Sequence, residues 1–140
     1  KDFFDAGFKE YKEYNVSKLP AATEAWYGFW CETEEHVKYF ELRFYPSHSE
    51  AVEQGTAYAA DASGWDAKLS RKDAMWRVGL AERKVNMLKT SHGTFGERNE
   101  KVPRTAAKYA TYQIFNNVII MCPGLHLLIR WIDLELISIM

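Results

Sequence analysis

The sequence predicts an α+β domain in which two hairpins build an antiparallel sheet and helices pack mainly on one face. The chain has 140 residues and is 47% hydrophobic, which suits one globular domain over residues 1–140. Apolar strand pairs lie at 25–45 and 109–122, and the segments 47–62 and 71–89 between them have helical periodicity. Because strands with one apolar side need a cover, we expect these helices to supply it.

The first hairpin follows an N-terminal segment, residues 1–20, that mixes helical with strand spacing. The aromatic run 25–31 predicts a strand in which Gly28 lets another backbone or a ring approach closely. The acidic residues 32–36 then form a solvated turn into a second strand at 37–45.

The second strand ends at Pro46, where the hydrophobic period changes from two to about 3.6. Before the proline, Phe40, Leu42 and Phe44 fall on one side of the strand, and polar and tyrosine residues fall on the other. We therefore expect one side of this strand to lie on a core.

A capped helix is predicted directly after the proline. Ser47 and Glu50 form an S-x-x-E capping box, which satisfies two amide donors at a helix start. The helix runs to Ala62, stops at residues 63–64, and is divided by Gly55 in its interior.

The segment 71–89 predicts a second helix with two apolar stripes. One stripe suits the sheet, and Trp76, Leu80 and Met87 form another roughly opposite. Since a second apolar face needs its own partner, we expect this stripe, with Arg83 beside it, to be a binding surface. Its partner is the chain's own tail, another protein or a small-molecule ligand.

The segment 90–105 has no sustained period and predicts a long loop, a kind of element that is often functional. Its side chains His92, Arg98 and Arg104 are candidate ligands for an anion. The motif at 91–96 lacks the G-K-[ST] ending of a phosphate-binding loop. Solvated loop charges are the competing interpretation.

Charge is distributed unevenly along the chain. Residues 1–65 hold 12 acidic and 6 basic side chains, whereas residues 66–108 hold 5 acidic and 11 basic ones. A polyanion or nucleic-acid binder that uses the basic segment is therefore one alternative. Nucleic acid is disfavoured because no zinc-finger spacing, aromatic RNA-binding repeat or helix-turn-helix accompanies the charge.

The second hairpin is predicted at 109–122, where two apolar runs flank the turn-forming residues Asn116 and Asn117. The following tail, residues 125–140, is apolar with one narrow polar stripe. Its charges make it a poor membrane span. We expect it to pack on its own domain or on a second copy, which would make a homodimer.

The two cysteines, Cys31 and Cys122, each close an apolar strand. A disulfide between them would join the two hairpins, as is common in extracytoplasmic proteins. The alternative is that both are buried thiols that act as small core residues.

Sites of chemistry are sparse in this sequence. The four histidines show neither H-x-x-x-H spacing nor a C-x-x-C companion, so we predict no metal site, no cofactor and no assigned catalytic residue. A small hydrolase that uses His92 or His48 as its acid or base is the enzymatic alternative.

The residues at 19–30, 40–55 and 59–67 resemble a type of small uncharacterised bacterial lipoprotein domain. The resemblance implies export through a signal peptide and a lipid anchor upstream of Lys1, and it implies no activity. On these grounds we expect a non-enzymatic extracytoplasmic binding or interaction module.

Overall fold

The computed structural model describes residue 5 and residues 7–31, 37–78, 85–86, 104–105 and 107–122. For residues 30, 31, 37, 38, 85, 86, 104 and 105 it describes the backbone alone. The acidic turn at 32–36, most of the loop at 90–105 and the tail at 125–140 lie outside the described residues.

Five antiparallel strands form the main sheet, in the order β1-β2-β3-β7-β6. In chain order the strands are β1 (Lys9–Glu13), β2 (Glu24–Cys31), β3 (Val37–Phe44), β4 (Val85–Asn86), β5 (Arg104–Thr105), β6 (Thr111–Phe115) and β7 (Val118–Cys122). The short strands β4 and β5 pair with each other in a separate ribbon. The protein is therefore α+β with an antiparallel sheet, and most of its regular structure is strand.

Both predicted hairpins are confirmed. Strands β2 and β3 pair along their whole length, with Trp26 opposite Leu42. Strands β6 and β7 join through a turn in which Asn116 has a φ of 50°, a left-handed conformation that asparagine tolerates better than most residues. Strand β3 also pairs with β7, so the two hairpins meet at the centre of the sheet.

Strand β1 is the element that the periodicity did not predict. All five of its residues are exposed, and within the described part of the chain it pairs with β2 alone, at the edge of the sheet. An edge strand that is polar on both sides shows no alternation, because neither side is on a core.

The first helix is confirmed, including its N-cap and its division. It consists of α1 (His48–Glu50), a π-helical turn (Ala51–Gly55) and α2 (Thr56–Ala62). The hydroxyl of Ser47 accepts a hydrogen bond from the amide of Glu50 at 3.2 Å and donates to its carboxylate at 3.1 Å. A Cβ at Gly55 would lie 2.5 Å from the Tyr45 hydroxyl, so this position needs glycine.

The predicted second helix at 71–89 is wrong. Residues 71–73 form a turn, residues 74–77 have no regular structure, and Val85–Asn86 is a strand. The amide of Met75 donates to the carboxylate of Asp61 at 3.2 Å instead of to a helical carbonyl. Tertiary contacts thus override the local helical spacing.

The sheet is buried on both sides around β3 and β7. One side, which we call the Leu42 face, carries the cluster of Phe8, Phe40, Leu42, Val118, Ile120 and Cys122. The opposite side, the Arg43 face, carries Ile119 and Met121, which pack with Ala51 and Ala59 of the helical segment. A neighbouring cluster contains Tyr14, Leu19, Ala25, Tyr27 and Trp76.

Candidate functional site

Two charged residues lie in the middle of the sheet. The alternation of β3 puts Glu41 and Arg43 on the side opposite Leu42, and both side chains are completely buried. Each is flanked by apolar residues of β7, since Met121 is opposite Glu41 and Ile119 is opposite Arg43. Burying charges in such surroundings is costly unless they are paired.

The two charges pair with each other. The Nε of Arg43 lies 2.6 Å from Oε1 of Glu41. The second carboxylate oxygen of Glu41 accepts a hydrogen bond of 3.0 Å from the hydroxyl of Tyr109. Both oxygens of the carboxylate therefore have a donor, as a buried carboxylate requires.

An aromatic ring covers the guanidinium. Its central carbon lies 4.4 Å from the centroid of the Trp76 ring, within the range of a cation–π contact. Tyr14 in turn packs edge-on against Trp76, with ring centroids 5.6 Å apart. Trp76 is only 3% exposed, and its indole completes the core above Arg43. It lies in an irregular segment and not on the predicted second apolar face of a helix; the other members of that face, Leu80 and Met87, lie outside the described residues.

The segment that carries Trp76 is held by Asp61 of α2. Besides accepting from the amide of Met75, the Asp61 carboxylate forms an ion pair of 2.9 Å with Lys68. The Asp61 carbonyl accepts from the Lys68 amide at 2.8 Å. These contacts tie residues 68–76 to the helix and place the indole over Arg43.

Four buried donor atoms of this site have no hydrogen-bond partner within the described part of the chain. They are Nη1 and Nη2 of Arg43, the hydroxyl of Tyr45 and Nε1 of Trp76. Arginine and tryptophan nitrogens can only donate, and a tyrosine hydroxyl can donate as well as accept. We call this set the donor cluster. Its atoms have no acceptor among the described residues.

Lys108 lies against two buried tyrosine rings, one of which, Tyr109, donates to Glu41. The Nζ of Lys108 lies 3.3 Å from the centroid of the Tyr27 ring and 5.5 Å from that of Tyr109. Lys108 is half-buried, whereas Tyr27 and Tyr109 are buried.

Stability is expected to fall above about pH 10 because of two buried tyrosines. Burial, and then the neighbouring Glu41 carboxylate, raise the pKa of Tyr109 well above its usual value. Burial also raises the pKa of Tyr45. Above about pH 10 the unfolded chain loses these protons while the folded chain keeps them, so the free energy of unfolding declines by up to about 1.4 kcal/mol per pH unit per tyrosine.

Urea unfolding at a series of alkaline pH values tests whether the free energy of unfolding falls as the pH rises. The tyrosine contribution is fully present below about pH 10 and is lost as the pH rises towards the folded pKa. Tyr109→Phe should reduce the slope of the free energy of unfolding against pH. The same change at Tyr11, which is exposed, should leave that slope unaltered. Equal slopes in the wild type and the Tyr109 variant would contradict the burial argument.

Most of the predicted site residues lie outside the described residues: Leu80, Arg83, Met87, His92 and Arg98. Arg104 is described only by its backbone in β5. Of the predicted binding residues, Trp76 has a described side chain, and it belongs to the donor cluster. His48 is exposed, and its Nδ1 lies 2.7 Å from the carbonyl of Asn116. It therefore contacts the turn of the second hairpin.

The proposed disulfide concerns one described and one undescribed side chain. Cys122 is buried on the Leu42 face, and the side chain of Cys31 lies outside the described residues. The backbone of Cys31 is opposite Val37, whereas Cys122 follows Met121, the partner of Glu41, and is therefore level with Phe40, three residues farther along β3. At about 3.3 Å per residue this exceeds the roughly 7 Å that a disulfide spans between Cα atoms. The register weighs against the bridge, which stays a prediction.

Sequence reasoning missed Glu41, Arg43, Tyr45 and Tyr109. A usable signal was present in residues 118–122, five apolar residues in succession. Such a run is typical of a strand that is buried on both sides. The central neighbour of such a strand, β3, is then the place to look for buried charged residues.

Within the described residues, no helix is both long and apolar enough to cross a membrane. The same residues contain no group of three or more His, Cys, Asp or Glu side chains with the arrangement of a metal site.

Comparison with known proteins gives one match. The model of a family described as a family of unknown function (DUF6810) matches residues 1–129. No curated protein and no solved structure matches the chain significantly.

Proposed function

We propose that this chain, which belongs to the DUF6810 family, is a non-enzymatic binding module that holds an acceptor-bearing ligand on the donor cluster. The observation that carries the proposal is the buried guanidinium of Arg43, whose two terminal nitrogens have no partner among the described residues. A ligand with anionic oxygens supplies the acceptors that the site lacks.

The energetic argument concerns the cost of unpaired donors. Leaving one buried donor without a partner costs about 1–3 kcal/mol, and four such atoms cluster on one face here. A site with this cost is more stable with a bound acceptor than without one. The same arrangement would be a defect if its only role were packing.

The proposal takes the helical segment 48–62 to cover the Arg43 face. Ala51, Ala59 and Ala62 share a buried cluster with Tyr45 and Ile119, which supports this arrangement. The π-helical turn at Ala51–Gly55 faces the Tyr45 hydroxyl. Such turns occur frequently at functional sites.

Ligand access would be through the segment that carries Trp76. Residues 74–77 have no regular secondary structure, so their displacement breaks few backbone hydrogen bonds. Movement of Trp76 would expose both the terminal nitrogens of Arg43 and the indole Nε1. The indole is then part of the site and also its cover.

Binding is favoured over hydrolysis by the chemistry of the described groups. The donor cluster consists of a guanidinium, a phenol and an indole, and none of these is a nucleophile paired with a base. The described histidine, His48, contacts a backbone carbonyl at the turn between β6 and β7. The polyanion alternative would use the basic segment 66–108, of which Arg71, Lys72 and Arg77 are exposed, and does not involve the donor cluster.

An extracytoplasmic location is also part of the proposal, and it is supported by the resemblance of residues 19–30 and 40–55 to exported lipoprotein domains. Lipid anchoring upstream of Lys1 and dimerisation through residues 125–140 are further parts of the proposal.

Thermal unfolding in the presence of simple anions tests the binding function. Acetate, benzoate, phosphate and sulfate are compared with chloride at constant ionic strength, so that nonspecific screening is equal. At least one of them should raise the Tm of the wild type, since a ligand that binds only the folded state stabilises it. Arg43→Lys should abolish that rise because lysine lacks the planar fork.

The matched control is Arg71→Lys, which makes the same change at an exposed position. It should retain the full rise in Tm. If none of the anions shifts the Tm of the wild type, or if Arg43→Lys responds as the wild type does, the donor cluster is not a ligand site.

A further inference from the structure

We infer that Asn15 is an acceptor for an N-linked oligosaccharide when the chain is exported past an oligosaccharyltransferase. The inference goes beyond ligand binding and rests on the extracytoplasmic location proposed above. It depends on three features of residues 15–17: their sequence, their turn conformation and the exposure of the two side chains that the transferase reads.

The sequence Asn15-Val16-Ser17 has the acceptor pattern N-x-[ST], in which the middle residue is not proline. The other asparagines of this sequence have neither serine nor threonine two residues later: Asn86, Asn99, Asn116 and Asn117. The pattern therefore designates a single position, which can be tested by itself.

The conformation of Asn15 leaves its side-chain nitrogen available. The residue lies in the connection between β1 and β2, two residues after β1 ends at Glu13. Its Oδ1 accepts a hydrogen bond of 2.9 Å from the backbone amide of Ser17, which makes an Asx turn. Because a backbone amide donates, its partner must be the oxygen of the carboxamide. The reactive nitrogen, Nδ2, is then the atom that the turn does not use.

The surroundings of Asn15 have room for a bulky group. The side chains of Asn15 and Ser17 are exposed, whereas their neighbours Tyr14 and Leu19 are buried. The amide of Tyr14 donates to the carbonyl of Ala25 at 2.8 Å, so the backbone is fixed directly before the acceptor. A hydrated oligosaccharide on Nδ2 extends into solvent from this position, and its attachment displaces no buried side chain.

The modification is a group transfer whose co-substrate is an oligosaccharide bound through its anomeric carbon to a lipid phosphate or pyrophosphate. Nδ2 of Asn15 attacks the anomeric carbon, and a bond forms between these two atoms. The bond from the anomeric carbon to the phosphate oxygen breaks, and the lipid phosphate leaves with the electron pair. Nδ2 gives up one proton to a base of the transferase. The product is a surface asparagine that carries a bulky, solubilising group.

Intact-mass spectrometry of the full chain tests the acceptor. The chain is directed by an added signal peptide through the secretory pathway of a cell that contains the transferase, and the same chain made without that peptide is the unmodified reference. We expect the exported chain to be heavier by an oligosaccharide. Peptide N-glycosidase should remove the whole increase and leave aspartate in place of Asn15.

Three variants separate modification from folding. Asn15→Asp keeps an oxygen that accepts from the amide of Ser17, so the Asx turn and the Tm of the unmodified chain should be retained. It lacks Nδ2, and the mass increase should be lost completely. Ser17→Ala removes the hydroxyl of the pattern and should also abolish the increase, whereas Ser17→Thr is the matched control that should retain it.

The outcomes distinguish this inference from the proposed location. An exported wild type with the mass of the unmodified reference would overturn the inference, and so would a mass increase that persists in Asn15→Asp. Because the added signal peptide supplies export, neither outcome bears on where the chain resides in its own host. Recovery of the native chain from the cytoplasmic fraction of that host would overturn the extracytoplasmic location and leave the acceptor result standing.

Discussion

Glu41→Gln should lower the free energy of unfolding by about 3–5 kcal/mol, which is the usual cost of removing one partner from a buried ion pair. The carboxylate of Glu41 is the described countercharge of Arg43, at 2.6 Å, and both residues are fully buried. Glutamine keeps the size of the side chain, so the change removes charge without opening a cavity. Urea unfolding with linear extrapolation measures the loss.

Glu53→Gln is the matched control, since Glu53 is exposed in the π-helical turn. Its effect should stay within about 0.5 kcal/mol, as for most surface substitutions. A double replacement, Glu41→Gln with Arg43→Met, should recover part of the loss, because it removes the unpaired charge. If Glu41→Gln were as mild as its control, water would have to reach the pair and the site would not be buried.

Gly28→Ala should cost about 3 kcal/mol, the upper part of the range for overpacking. A Cβ at this position would collide with the carbonyl oxygen of Lys9 and with the ring of Phe8. The first of these is a backbone atom of β1, the strand that pairs with β2 along this edge. The carbonyl oxygen cannot retreat without separating the two strands. The predicted close approach at Gly28 is thus confirmed.

Gly64→Ala separates this steric effect from backbone strain. Gly64 has a φ of 72°, but a Cβ there would come no closer than 3.7 Å to the carbonyl oxygen of Ala110. Its cost should be about 1 kcal/mol from the left-handed conformation alone. Both variants are compared by urea unfolding. A Gly28 variant as stable as the Gly64 variant would mean that β1 is not firmly paired with β2.

The elements that the sequence by itself determined are those whose signals are local. Ser47 and Glu50 lie close enough in the chain to cap a helix whatever surrounds them. Asn116 can adopt the left-handed conformation that the second hairpin requires. The run of strand-forming residues in β2 and β3 likewise carries its own preference. The α+β class and the antiparallel sheet follow from these signals.

Tertiary structure decided which side chains form the site. The alternation of β3 separates Leu42 from Glu41 and Arg43, but alternation says only that the two sides differ. Whether the second side meets water or a second core depends on what packs on it, and that cover comes from Trp76 and Tyr109, 33 and 66 residues farther along the chain than Arg43.

The segment around Trp76 is the plainest case of this dependence. Its spacing suited a helix, yet the bond from the Met75 amide to Asp61 and the stacking of Trp76 on Arg43 hold it in an irregular path. Local propensity differs between conformations by less than about 1 kcal/mol per residue. Burying an indole over a guanidinium is worth more than that, so the distant contacts, which no local pattern encodes, determined the conformation.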